Sequence, residues 1–167
     1  MNKRKYRDFQ EFLSRLQKRI HIFLSIPVPA FIFLMIRLDN GRIRPRINNH
    51  AIALLMRNSF AIISFVILIA SILIFVWVTR RIVRGNDLRS RLDAYCKASL
   101  MRDLFLEAIM IANLSGLALT GEKFYAGLSG IILIVFLLGY PNTHRIINTL
   151  KLDQKDSDII LSKGAID

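Results

Sequence analysis

Residues 101–116, MRDLFLEAIMIANLSG, place a carboxylate, Glu107, and an amide, Asn113, in a segment otherwise apolar enough to enter a lipid bilayer. An ionisable group inside a membrane span is a candidate ligand for an ion or a proton until its partner is known. Glu107 and Asn113 are therefore candidates for an ion or proton pathway. Glu107 also has a structural interpretation, which we favour. It lies one turn after Asp103 near the predicted helix start, where the helix dipole favours an anion and Arg102 or a basic residue of the preceding loop offers a cation.

No other residues have the types and spacing of an active site. The three histidines, His21, His50 and His144, are far apart in the sequence, with no carboxylate or thiol at the spacing of metal ligands. Cys96 is the only cysteine, so an intramolecular disulfide is excluded. The sequence has no glycine-rich phosphate loop and no nucleophile elbow. We therefore expect a protein that is not an enzyme and that uses no cofactor and no metal.

The composition is that of a membrane protein. Of the 167 residues, 53% are hydrophobic and 22% are charged, and the charges are concentrated between long apolar runs. A formal net charge of +12 would also suit a nucleic-acid-binding protein. Because the basic residues flank the apolar runs and form no patch with aromatic residues, we expect anionic lipid headgroups as partners, and no nucleic acid.

Four apolar runs predict an all-α fold, a bundle of four transmembrane helices in a single domain of residues 1–167. The predicted spans lie at about 20–38, 58–79, 103–121 and 124–141. The first span contains Pro27 and Pro29, which predict a kink whose freed carbonyl a side chain such as Ser25 would take up. If this run is only re-entrant, the N-terminus lies on the opposite side of the membrane.

The third and fourth runs are separated by only Glu122 and Lys123, after Gly121, which predicts a tight helical hairpin. Small residues at four-residue spacing would let the two helices approach closely, or would let copies of the chain associate. These residues are Ala108, Ala112, Gly116 and Thr120 in the third run and Ala126 and Gly130 in the fourth. Asn113 lies at the edge of this stripe, where it would donate a hydrogen bond across the hairpin or into the bundle.

The distribution of Lys and Arg predicts the orientation of the chain. With four spans, one side carries 18 of these residues and the other side carries 6. The positive-inside rule then places both termini and the loop at 80–102 in the cytoplasm, for a multi-pass protein of the inner membrane. Residues 1–19 and the tail at 142–167 are predicted to be amphipathic cytoplasmic segments. The N-terminal helix would lie on an anionic membrane surface or run directly into the first span.

The loop at 80–102 is the candidate contact for lipid or for a protein partner, through Arg80, Arg81, Arg84, Arg89 and Arg91. Its simplest interpretation is that it sets the topology. The functional hypothesis is a scaffold or accessory subunit, in a homo-oligomer or a larger membrane complex, whose basic face binds anionic lipid or an acidic partner. The alternative is a small oligomeric channel or transporter that uses the polar residues of the third span.

Residues 91–153 resemble a group of short bacterial four-span inner-membrane proteins. The resemblance rests on the stretches RLDAYCKASLMRDLFLEA, LALTGEKFYAGL and YPNTHRIINTLKLD. Within them, the matching positions are Tyr95, Glu107, the Leu-Thr-Gly turn at 119–121, and Pro141 with Arg145 four residues later. The resemblance implies a bacterial inner membrane and brings no activity with it.

Overall fold

The computed structural model describes residues 8–43, 47, 49–82 and 87–162. Every regular element in those ranges is an α-helix, so the all-α prediction is confirmed. In chain order the helices are α1 (Phe9–Leu24), α2 (Pro27–Asp39), α3 (His50–Ile82), α4 (Leu88–Thr120), α5 (Lys123–Leu138), α6 (Thr143–Leu150) and α7 (Gln154–Leu161).

Three helical segments of the described chain are long and apolar enough to cross a membrane. They are Phe9–Asp39, which comprises α1 and α2, His50–Arg81 and Leu88–Thr120. The 16-residue α5 meets the same criterion only together with α6, to which it stands at 84°, so the number is three, or four if that bent pair is one span. Large apolar side chains on α2, α3 and α5 are exposed, which suits contact with lipid.

The first segment is irregular where the prolines occur. α1 ends at Leu24, and Pro27 is the first residue of α2, a position at which its missing N–H is not needed. Between them, the Ser25 hydroxyl donates a hydrogen bond to the Ile22 carbonyl over 2.7 Å. The break therefore divides a polar, amphipathic α1 from an apolar α2.

α4 is the central helix of the fold, and α1, α2, α3 and α5 all pack against it. At 33 residues it is about 50 Å long, well beyond the predicted third span. The prediction of a loop over 80–102 is therefore wrong from Leu88 onwards. Leu88, Leu92, Tyr95 and Ala98 recur on one face of this extension and are buried, so packing makes it a helix despite its charges.

The extension of α4, the end of α3, and α1, α6 and α7 together form a folded cap with its own apolar core. That core contains Phe9, Phe12, Leu16, Phe75, Leu88, Leu92, Tyr95, Ala98, Ile146, Leu150 and Ile160. The apolar face of α1 is thus buried in protein, with Phe9 and Phe12 at most 3% exposed. The prediction that this face rests on a membrane surface is wrong, because α4 and α6 cover it.

The predicted hairpin of α4 and α5 is present. Gly121 ends α4 with a positive φ of 69°, a conformation in which glycine has no Cβ to clash, and α5 begins at Lys123. A second apolar cluster around Leu106, Met110 and Phe136 lies in the middle of the bundle. A third, around Leu117 and Tyr125, lies beside the hairpin turn.

Candidate functional site

A buried ion pair joins Arg102 and Asp103 on α4. The Arg102 guanidinium donates to Oδ1 of Asp103 through Nη2, over 2.7 Å, and through Nε, over 2.9 Å. Both residues are at most 5% exposed. The Ser99 hydroxyl, one turn earlier, lies 3.4 Å from the other carboxylate oxygen.

Arg102 also holds the end of α5. Its Nη2 donates to the Gly139 carbonyl over 3.1 Å, and its guanidinium carbon lies 4.9 Å from the centre of the Phe75 ring. A cation here stabilises the negative C-terminal end of the helix dipole. Gly139 leaves room for this approach, since a Cβ at that position would lie 2.8 Å from Nη2. One side chain therefore links α3, α4 and α5.

The predicted pairing of Arg102 with Glu107 is wrong, because the nearer Asp103 and the end of α5 occupy the guanidinium. The Glu107 side chain is partly exposed and has no hydrogen bond or ion pair within the described residues. Its neighbours on the helix surface, Leu104 and Ile111, are about half exposed. Glu107 thus stands at the border of the face that α4 turns towards lipid.

Asn113 points into the bundle. Its Nδ2 donates to Ser64 Oγ on α3 and to the Ile109 carbonyl, both over 2.9 Å. Its Oδ1 is buried and has no hydrogen-bond partner among the described residues. The two candidate pathway residues, Glu107 and Asn113, are therefore not brought together: one is at the lipid border and the other cross-links α4 to α3.

Only some of the small residues at four-residue spacing pack between α4 and α5. A Cβ on Gly116 would lie 2.6 Å from the Tyr125 ring, so the glycine makes room for that ring in the hairpin. Thr120 and Ala126 are buried in the same region, while Ala112 is half-buried. Ala108 and Gly130 do not serve this packing: Ala108 is exposed, and a Cβ on Gly130 would contact nothing within 4 Å.

The basic residues of the predicted loop at 80–102 lie in different environments. Arg80 and Arg81 are exposed, and the Arg81 guanidinium carbon lies 4.6 Å from the centre of the Trp77 ring. Arg89 is half-buried on α4. Arg84 lies outside the described residues.

Arg91 has acidic neighbours within the cap. It packs against α7, with Nη1 at 3.6 Å from Asp156 and 3.9 Å from Asp153. Burial, followed by the charge of Asp153, raises the pKa of the Asp156 carboxyl, and Arg91 opposes that rise. Arg91 therefore forms ion pairs within the cap, and its role as a contact for lipid or for a protein partner stays a prediction.

Polar contacts fix the cap to the spans at the α5–α6 turn. Gln17 of α1 donates to the Pro141 carbonyl over 3.2 Å, and the Tyr140 hydroxyl lies 3.2 Å from His21 Nε2. Arg102 holds the same turn from the other side through Gly139. The cap is thus anchored on two sides of one turn.

Sequence reasoning did not identify the Arg102–Asp103 pair. Adjacent residues on a helix do not face each other, so an RD dipeptide carries no pairing signal. The signal available in the sequence was the apolar character of the residues around Arg102 and Asp103, because charged side chains in such a segment need partners. The described residues contain no group of three or more His, Cys, Asp or Glu side chains that could hold a metal ion.

Comparisons of the chain with protein families, with curated proteins and with solved structures found no match.

Proposed function

We propose that the protein is a non-enzymatic, multi-pass membrane scaffold or accessory subunit whose basic face binds the headgroups of anionic lipids. The observation that carries this proposal is the position of Arg80 and Arg81. Both side chains are exposed where the apolar, lipid-facing part of α3 ends and the cap begins.

The aromatic residue beside them supports a position at the membrane interface. Trp77 is 58% exposed, and tryptophan is enriched at the level of lipid headgroups. Arg81 stacks on its ring, which leaves the guanidinium N–H groups free to meet phosphate oxygens in the plane of the headgroups. Each such cation near an anionic membrane surface contributes about 1 kcal/mol.

The orientation follows the predicted distribution of charge. With four spans, the side that carries 18 Lys and Arg residues is the cytoplasmic side, which puts the cap and both termini there. The resemblance of residues 91–153 to short bacterial inner-membrane proteins supports a bacterial inner membrane as the location. In this orientation Arg80 and Arg81 meet the inner leaflet, where anionic lipids attract cations.

The test compares the selectivity of two double variants for spin-labelled lipids after reconstitution. Arg80→Gln/Arg81→Gln should reduce the preference for phosphatidylglycerol over phosphatidylcholine, and the wild-type preference should fall with added salt. Arg37→Gln/Arg42→Gln removes the same charge from exposed positions at the other end of the bundle, and it should retain the preference.

An unchanged preference in Arg80→Gln/Arg81→Gln would refute lipid binding at this face. Orientation in cells is measured in parallel by labelling of the termini. A variant that keeps its lipid preference but inserts in the inverted orientation would show that the two arginines act only as a topology signal. Salt-sensitive loss of an acidic protein, with lipid selectivity intact, would assign the face to a partner.

One observation favours the alternative, an oligomeric channel or transporter: the partly exposed Glu107 has no partner within the described chain. In an oligomer, copies of α4 could enclose this carboxylate in a wet interior. Ion flux that depends on Glu107 would establish this alternative.

A further inference from the structure

A groove of about 440 Å3 separates α3 from α5 in the apolar part of the bundle. The two helices touch each other little, because both pack on α4. The walls are formed by Ala61, Ile62, Ser64, Phe65, Val66 and Leu68 of α3 and by Leu128, Ile131 and Ile132 of α5. Ser64 is the polar side chain among them, and its hydroxyl already accepts a hydrogen bond from Asn113. The groove therefore offers an apolar surface to its occupant.

The groove opens outwards. Ile62, Phe65 and Ile131 on its walls are 65%, 63% and 53% exposed. Side chains at this position in a membrane are covered by hydrocarbon or by another helix. An acyl chain fits walls that provide dispersion contacts and need no hydrogen bonds.

The end of the groove nearest the α4–α5 turn carries charge. Arg57 lies one turn before Ala61, and Phe124 lies one turn before Leu128, so both stand directly beyond the apolar walls. The Arg57 guanidinium carbon is 5.9 Å from the centre of the Phe124 ring, so these two side chains of α3 and α5 approach each other at this end. The exposed Lys123 adds a second cation at the start of α5.

This end of the groove also has an acidic group that lacks a partner. Oε2 of Glu122 is buried without a hydrogen bond among the described residues, as is the hydroxyl of Tyr125. Arg57 and Glu122 both lie within electrostatic reach of that hydroxyl, and no ion pair of the described chain joins them. A cation and an anion are thus held apart around one polar pocket at the end of an apolar groove.

We infer that this groove binds one zwitterionic aminophospholipid. An acyl chain lies along α3 and α5, the phosphate contacts Arg57 and Lys123, and the headgroup ammonium contacts Glu122. A phospholipid carries hydrocarbon, phosphate and amine in one molecule, so the apolar walls, the two cations and the carboxylate each have a counterpart in it. The site is at the opposite end of the bundle from Arg80 and Arg81, so it does not depend on the proposed function.

Native mass spectrometry tests this site. Wild-type protein is released from membranes of phosphatidylethanolamine, phosphatidylcholine and phosphatidylglycerol, and the lipid that survives increasing collision energy is identified. We expect one retained phosphatidylethanolamine. Arg57→Gln should lower its retention several-fold, and Glu122→Gln should abolish the preference for ethanolamine over choline. Arg42→Gln makes the same charge change at an exposed position outside the groove walls and should leave retention unchanged.

A second variant tests the groove itself. Ala61→Phe adds a ring inside the walls without changing any charge, and it should expel the lipid while the helical circular dichroism spectrum stays that of wild type. Equal retention in wild type, Arg57→Gln and Ala61→Phe would overturn the inference. A wild-type dimer that carries no lipid and dissociates on Ala61→Phe would also overturn it, because a second copy would then fill the groove.

Discussion

At the residue scale, the structure is controlled by a few polar side chains with several partners each. Arg102 neutralises Asp103, caps α5 at Gly139 and stacks on Phe75. The desolvation of two charges in such a site is offset only when each hydrogen bond is made. Truncating one member then leaves the other charged and unpaired, which costs more than the pair contributes.

We expect Arg102→Gln to lower the free energy of unfolding by about 3–5 kcal/mol, the usual cost of breaking a buried pair from one side. Asp103 would be left without its cation, and the C-terminal carbonyls of α5 would lose their donor. Thermal unfolding in detergent, followed by circular dichroism, measures the loss.

The matched control is the double variant Arg102→Leu/Asp103→Leu, which removes both charges. It should recover much of the stability that the single variant loses, because apolar replacement of a buried pair is often close to neutral. A destabilisation of the double variant equal to the sum of the two single losses would be the opposite outcome. In that case the hydrogen bond from Arg102 to the Gly139 carbonyl, rather than the ion pair, would be the dominant contribution.

Glycines of the hairpin provide a second prediction. Gly116→Ala should destabilise the protein by about 1–3 kcal/mol, because the new methyl group would overlap the Tyr125 ring. Gly130→Ala, on the partner helix, meets nothing within 4 Å and should leave the stability unchanged. Thermal unfolding of both variants decides the matter. A loss at Gly130 that depends on protein concentration would instead indicate a contact between copies of the chain.

At the element scale, hydrophobic periodicity and turn residues predict part of this fold. The uncharged run that became α3 and the hairpin at Gly121 could be read from the sequence. The extension of α4 to Leu88 could not, because arginines and aspartates there resemble a loop between spans. Its helical state depends on contacts with α1 and α6, which are distant in the sequence.

The partners of the polar residues were equally difficult to predict from the sequence. The sequence identified Asn113 as a polar group in an apolar run, but not Ser64 as its partner on another helix. It identified Arg91 as basic, but not the acidic face of α7 that holds it. Composition predicts which residues need partners, whereas the partner itself depends on the tertiary arrangement of helices.

The docking of α7 in the cap provides a third stability prediction. Ile160 is fully buried, and it is the residue that places α7 in the apolar core of the cap. Ile160→Ala should remove about 2–5 kcal/mol from the docking of this short helix, which then separates from the cap. Hydrogen exchange of the amides of 154–161 should accelerate in this variant.

Leu161→Ala is the control for α7, since Leu161 is 53% exposed and its truncation should not alter exchange. Equal exchange in both variants would mean that Arg91, rather than apolar packing, holds the helix in place.

At the scale of the whole molecule, Glu107 distinguishes a scaffold from a channel. It follows Arg102 by five residues, so it lies about 7.5 Å further along α4, away from the cap. An unpartnered carboxylate at this depth carries a desolvation cost, unless water or another copy of the chain relieves it. As a scaffold, the chain should tolerate Glu107→Gln with unchanged mass in nanodiscs, no ion flux and a melting temperature at or above that of wild type. Asp103→Asn, one turn away, should instead lower the melting temperature, because Arg102 needs its anion. A closed oligomer whose flux is changed by Glu107→Gln would overturn the scaffold and make the lipid border of α4 the wall of a conduction path.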